Sequence, residues 1–179
     1  MPQPFTLEDS RTVRIERYLP GPIERLWAYL TRAEHLRTWL ADGDVPAVVG
    51  ARVALSQEAD NVPIRTGGVI TGTVTRVEAP RLLEYTWDHE TDGQGGAGTP
   101  SLVRFELEPL GDEVLLRITH GRLRTEDQAL VATGWHTHTG ILEAVLRGEE
   151  PAPFLDTFVP ALKVFTAELE KQRAGIADA

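Results

Sequence analysis

The side chains best able to do chemistry gather in a histidine group and an acidic pair. His120 stands at the end of a strand-like run, and Trp135, His136 and His138 lie in a helix-like one. Two histidines at i, i+2 point to different sides of a helix, unlike an i, i+4 pair, so no metal site is expected from them. His138 shares a stripe with Trp135 and Leu142, and His120 shares a face with Ile118. A buried neutral imidazole bonded to the backbone is the ordinary reading of such positions, and a polar contact to a ligand is the sharper one. The acids are Glu84 and Asp88, beside Trp87. Alternation turns Glu84 away from the interior and Asp88 opens a loop, so both are expected as solvated surface charge.

Other chemistries are excluded by what is missing. With no cysteine there is no thiolate nucleophile, disulfide or cysteine metal site. No serine sits in a glycine-flanked elbow. The run holding Gly93, Gly95, Gly96 and Gly98 precedes a strand, whereas a phosphate cradle needs a helix N-terminus, so it reads as a flexible hairpin loop from Asp88 to Pro100. No cofactor is expected.

The elements that must position these residues are mostly strands. TGGVITGTVTRVEAPRLLEYTW, from Thr66 to Trp87, reads as two strands around a proline turn. Its glycines Gly67, Gly68 and Gly72 permit bends, so the sheet is expected to curve. Thr12 to Tyr18, Val53 to Leu55, Leu102 to Glu108 and Val114 to His120 alternate in the same way, with Gly111-Asp112 as a hairpin turn. Short turns without helical crossovers predict an antiparallel sheet.

Helical periodicity appears in three places. Ile23, Leu26, Trp27 and Leu30 follow a stripe after Pro22, and Thr31 with Glu34 has capping-box spacing for a second short helix carrying Leu36, Trp39 and Leu40. Trp27 and Trp39 are expected as core, with a lining role for Trp39 the alternative. Thr125 to Arg147 reads as one long helix stopped by Gly148, in which Gly134 and Gly140 allow a kink or a close approach to the sheet. Beyond Pro151 and Pro153, a further helix carries Phe154, Leu155, Phe158, Val159, Leu162, Phe165 and Leu169 on its apolar side. That side must pack on the domain, cover a pocket mouth or meet a second subunit.

The net charge of −9 argues against an electrostatically bound nucleic acid. No run suits a membrane span, and the first residues lack a signal-peptide core, so a soluble, cytoplasmic protein is expected.

Several segments in order resemble a known family. RYLPGPIERLWAYLTRAEHLRTWL, GGVITGTVTRVEAPRLLEYTW, LVRFELEPLGDEVLLRITHGRL and Gly134-Trp135 followed by Leu142 and Leu146 are similar to the activator of heat-shock-protein-90 ATPase homologue-like proteins, a branch of the START and Bet v 1-like (SRPBCC) superfamily. The likeness spans Thr12 to Gly148. The tail from Glu149 to Ala179 and the long Asp88–Pro100 loop depart from it. The chaperone activators that name the family carry a further N-terminal domain with no counterpart here, so a co-chaperone role does not follow.

The resemblance implies an α+β helix-grip fold: a curved antiparallel β-sheet around a long C-terminal α-helix, two short helices after the first strand, and here an extra C-terminal helix. The expected division is an N-terminal arm over 1–11, the helix-grip domain over 12–148 and a helical extension over 149–179. Such folds often keep a hydrophobic cavity between helix and sheet. The inward faces would line it with Val69, Thr71, Leu83, Tyr85, Trp87, Val103, Phe105, Ile118, His120, Trp135, His138 and Leu142. The competing reading is that these side chains fill the interior at native density. The expected role is a binding protein for an apolar or aromatic small molecule, including a lipid. The alternatives are a cyclase- or hydrolase-like enzyme using His120 or His138, and a chaperone-partner or dimerisation module joined as a homodimer through the extension.

Overall fold

A computed structural model describes residues 5–57, 68–90 and 100–177. The strands β1 (Thr6–Asp9), β2 (Thr12–Pro20), β3 (Arg52–Ser56), β4 (Val69–Glu78), β5 (Leu82–Glu90), β6 (Ser101–Leu110) and β7 (Glu113–Gly121) form one antiparallel sheet in the order β1-β2-β7-β6-β5-β4-β3. Helices α1 (Ile23–Thr31) and α2 (Ala33–Leu36) follow β2, α3 (Gln128–Arg147) packs on the inner face of the sheet, and α4 (Phe154–Ala177) returns along α3. This is the helix-grip arrangement.

Alternation sets the faces of the sheet. Val13, Ile15 and Leu19 on β2, Leu83, Tyr85 and Trp87 on β5, Val103, Phe105 and Leu107 on β6, and Val114, Leu116, Ile118 and His120 on β7 are all buried on the helix side. The outer face carries cross-strand charge pairs, such as Arg117 donating to Glu16 at 3.0 Å. Glu84 belongs to that outer face, yet it is not the solvated acid expected. Only 8% of it is exposed, because Arg104 pairs with it at 2.7 Å and the Thr75 hydroxyl donates to it at 2.8 Å. Asp88 is exposed, as expected.

The face of β4 is the reverse of the one expected. Ile70 and Val74 are buried with Gly72 between them, while Val69 is 37% exposed and Thr71 lies on the outer side. Threonines suit either environment, so the abundance of β-branched residues in this strand does not reveal its inner face. Gly72 is fixed by crowding, since a Cβ there would lie 1.8 Å from the carbonyl oxygen of Thr86. A register shift between Val74 and Arg76 adds local bend and twist.

The short helices also differ from the periodic reading. Thr31 does not cap α2; its hydroxyl donates back to the Trp27 carbonyl at 2.8 Å, closing α1 instead. α2 stops at Leu36, and Arg37 to Leu40 continue as turns. Trp39 is nonetheless buried, its indole N–H donating to the Tyr29 carbonyl at 2.9 Å. Along α3, neither Gly134 nor Gly140 meets a neighbour that a Cβ would strike, so no close approach to the sheet explains them. Gly148 ends α3 in the left-handed conformation, φ 74°.

The first and last described elements are built into the body. β1 lies within the expected arm and pairs with β2. α4 buries Phe154, Phe158, Phe165 and Leu169, with Phe165 5.0 Å from Phe5 between ring centres. Beside β1, the Gln172 amide accepts from the Leu7 N–H at 2.8 Å and donates to the Phe5 carbonyl at 3.4 Å, in the manner of a neighbouring strand. The residues 91–99 of the glycine-rich loop, and Gly67, lie outside the described residues. Among the described residues, no helix is long and apolar enough to cross a membrane.

Candidate functional site

Seven of the twelve expected lining residues lie in the sheet interior: Leu83, Tyr85, Trp87, Val103, Phe105, Ile118 and His120 are buried on the strands. Trp135 of α3 reaches down among them. Its ring meets Trp87 at 5.3 Å and Phe105 at 5.5 Å edge-on, and Tyr85 stacks on Phe105 at 5.8 Å. These are ordinary aromatic packing distances. Leu142 is buried further along α3. Val69 and Thr71 take no part, since both face the other way.

Within this cluster the hydrogen bonds run in one direction. An indole N–H can only donate, so Trp135 gives its proton to His120 Nδ1 at 3.0 Å. The neutral His120 then carries its own hydrogen on Nε2, 2.8 Å from Ser101 Oγ, and the Ser101 hydroxyl donates to the Trp87 carbonyl at 2.8 Å. Donor meets acceptor at every step, and helix, β7, β6 and β5 are tied together. The lone pair that would make His120 a base is already spent on Trp135. Burial also pushes the Tyr85 phenol well above its usual range.

His138 lies one turn further along α3 and does not join this cluster. A carbonyl only accepts, so His138 Nδ1–H donates to the Trp39 carbonyl at 2.7 Å, and its ring packs on Phe154 at 5.2 Å. Burial lowers its pKa from 6.5 to about 4, so it is neutral at pH 7. His136 faces elsewhere, toward Phe165, with Arg17 close by. Burial first, and Arg17 second, lower its pKa as well.

Past His138 the packing opens. A cleft of about 360 Å³ is lined by Trp39, Leu40 and Ala41 after α2, Gln57 at the end of β3, Ile141 of α3, Pro151 to Pro153, and Phe154 at the start of α4, with Arg37 and Glu150 at the same opening. Its volume lies in the range of small-molecule sites. Gln57 is only 9% exposed, and among the described residues no hydrogen bond is made by its carboxamide. A second, more open concavity of about 390 Å³ lies on the outer face, where Arg52, Thr71, Thr73, Thr86 and Asp88 make a polar surface. Among the described residues no group of three or more histidines and acids is placed to hold a metal.

Sequence reasoning missed most of this cleft. Of its lining, the sequence reading reaches Trp39, as an alternative to core, and Phe154, on a helical face that could cover a pocket mouth. The signal for the rest was the pair Pro151 and Pro153, which holds the α3–α4 link extended and brings Phe154 against His138.

The model of the family described as activator of Hsp90 ATPase homolog 1-like protein matches residues 20–147. The chain belongs to this family. Among solved structures, a Bordetella parapertussis protein determined by NMR in solution is 36% identical over 90% of this chain and 87% of its own, with a TM-score of 0.71. Two more distant structures share the fold. DynU16, described as a putative protein in the dynemicin biosynthetic locus, is 19% identical over 80% of this chain and 49% of its own, TM-score 0.63. The Aha1 dimer from Colwellia psychrerythraea is 17% identical over 75% of this chain and 95% of its own, TM-score 0.61. No curated protein matches the chain.

The family model ends at residue 147, so Glu150 to Phe154, one side of the cleft, lie beyond it.

Proposed function

We propose that the chain is a small-molecule-binding protein whose guest sits in the cleft between the α2 turn and the α3–α4 link, rather than in the centre of the grip. The observation that carries this reading is the contrast in packing along α3. Around Trp135 the interior is occupied by interlocked rings, whereas beside Ile141 there is a recess of about 360 Å³ walled by Trp39, Leu40, Pro151, Pro153 and Phe154. An apolar wall with a few polar groups is the usual form of such a site. Membership of the family, and the likeness to a protein of a biosynthetic locus, support a role in handling small organic molecules. Aromatic or other flat apolar compounds fit the lining best.

Native mass spectrometry of freshly purified protein tests it, with Ile141→Trp as the variant that fills the recess. A co-purifying organic molecule present in the parent and absent from the folded variant is the expected result. If the parent carries nothing, and the Trp39 and Phe154 resonances ignore a panel of apolar compounds, the reading fails.

A homodimer through α4 is the second reading, favoured by the exposure of Leu155, Val159 and Val164 on that helix. Light scattering decides it: a monomeric parent excludes the dimer, and a dimer should dissociate on Val159→Glu.

A further inference from the structure

The cleft has an electrostatic character that its apolar walls conceal. α4 begins at Phe154, inside the cleft lining, and runs for 24 residues. The first-turn N–H groups of a helix have no partners within it, and the aligned peptide dipoles place partial positive charge there. Arg37 stands at the same opening. Among the described residues its one ion pair is a loose contact with Asp42 at 3.4 Å, and 66% of its side chain is exposed, so its guanidinium can turn toward a guest.

Gln57 is the independent observation. The Gln57 side chain is nine-tenths buried, yet its amide atoms keep access to the cleft, so a guest there would take the place of water on them. Among the described residues Gln57 has no hydrogen-bond partner. Its NH₂ offers two donors. A cleft-facing amide, a helix N-terminus and a free-turning guanidinium stand against two acids, Glu150 in the lining and Asp156 in the first turn of α4.

We infer that the guest is an apolar acid: a molecule whose flat or aliphatic body packs on Trp39, Ile141 and Phe154 while its carboxylate accepts from the Gln57 amide, with Arg37 as the counter-charge at the opening. This rests on the cleft being the binding site, and it adds the head group. The chain's overall charge of −9 works against anions at long range, so the preference is local and short-ranged. Gln57 is then the specificity-determining residue, and Arg37 supplies a salt-sensitive contribution.

Three probes with one body separate the head groups: 2-naphthoate, 2-naphthamide and 2-naphthylmethylammonium, titrated calorimetrically into the full chain, with the Trp39 indole resonance reporting the site. The expected order has naphthoate tightest, by about tenfold over the amide, which is the scale of one charge-assisted hydrogen bond. Gln57→Leu should remove that advantage, weakening naphthoate more than the amide. Gln57→Glu should reverse it, so that the ammonium binds best, and this retained binding shows that the variant is folded. Arg37→Ala should weaken naphthoate two- to fivefold at low salt and less at high salt. If the amide or the ammonium binds the parent as well as naphthoate does, the acid inference is overturned while the cleft stands. If none of the three moves the Trp39 signal, the cleft falls and the inference with it.

Discussion

Two sites about nine ångströms apart along α3 use similar side chains for opposite ends. At Trp135, indole, imidazole and hydroxyl are joined donor to acceptor through His120 and Ser101, and rings occupy the surrounding space. At Ile141, an aromatic wall faces a recess and the Gln57 amide has no partner among the described residues. Polarity inside a fold does not mark a site by itself. What separates the two is whether the polar atoms already have one another.

The largest test of the contrast is Trp135→Ala. It removes a buried ring and orphans His120 Nδ1, so urea unfolding should show a loss of about 3–5 kcal/mol. Next comes acid. The folded pKa of His138, about 4, lies below its ordinary 6.5, so the unfolded chain takes up the proton first as pH falls. Stability from this group is therefore complete above pH 6.5 and is lost progressively toward pH 4, by about 3 kcal/mol. His138→Asn keeps a donor near the Trp39 carbonyl but does not titrate, and its stability should be flatter over that window than the parent's. An equal slope in both would show that His138 is not the group responsible.

Smaller effects divide the two regions more finely. Ser101→Ala breaks the relay between His120 and the Trp87 carbonyl and should cost about 1–2 kcal/mol. Gln57→Leu deletes a buried amide that holds no bond and should leave stability unchanged or raise it by up to about 1 kcal/mol, measured by the same denaturation. If both substitutions destabilise alike, the distinction between packed core and waiting site is broken.

Much of the fold was legible because period-2 alternation reports burial on one-sided strands. Leu83, Tyr85 and Trp87, or Val114, Leu116 and Ile118, mark the inner face, although Leu82 and Leu115 opposite them are buried as well. β4 was misread because both of its faces are acceptable to water or core: Thr71 and Thr73 beside Ile70 and Val74 give alternation without polarity. Glu84 was misread because a strand face says nothing of what lies across it, and Arg104 is twenty positions away. Alternation places the inward residues of β5, β6 and β7 in the interior, but the decision between filled and hollow depends on ring orientation, which spacing does not carry. The cleft was hidden for a different reason. It is assembled from the turn after α2, the end of β3 and the α3–α4 link, segments with no shared periodicity.

The bond between Gln172 and the backbone of β1 bears on how this protein can be shortened. A sheet ending in a bare strand offers its amides to any passing chain, and natural proteins blunt such margins. Here a single glutamine does so from α4, 165 positions beyond the Leu7 amide it covers. Cutting at Gly148 would not yield a minimal domain. It would unzip that margin and bare Phe5, leaving an edge open to pairing with another copy.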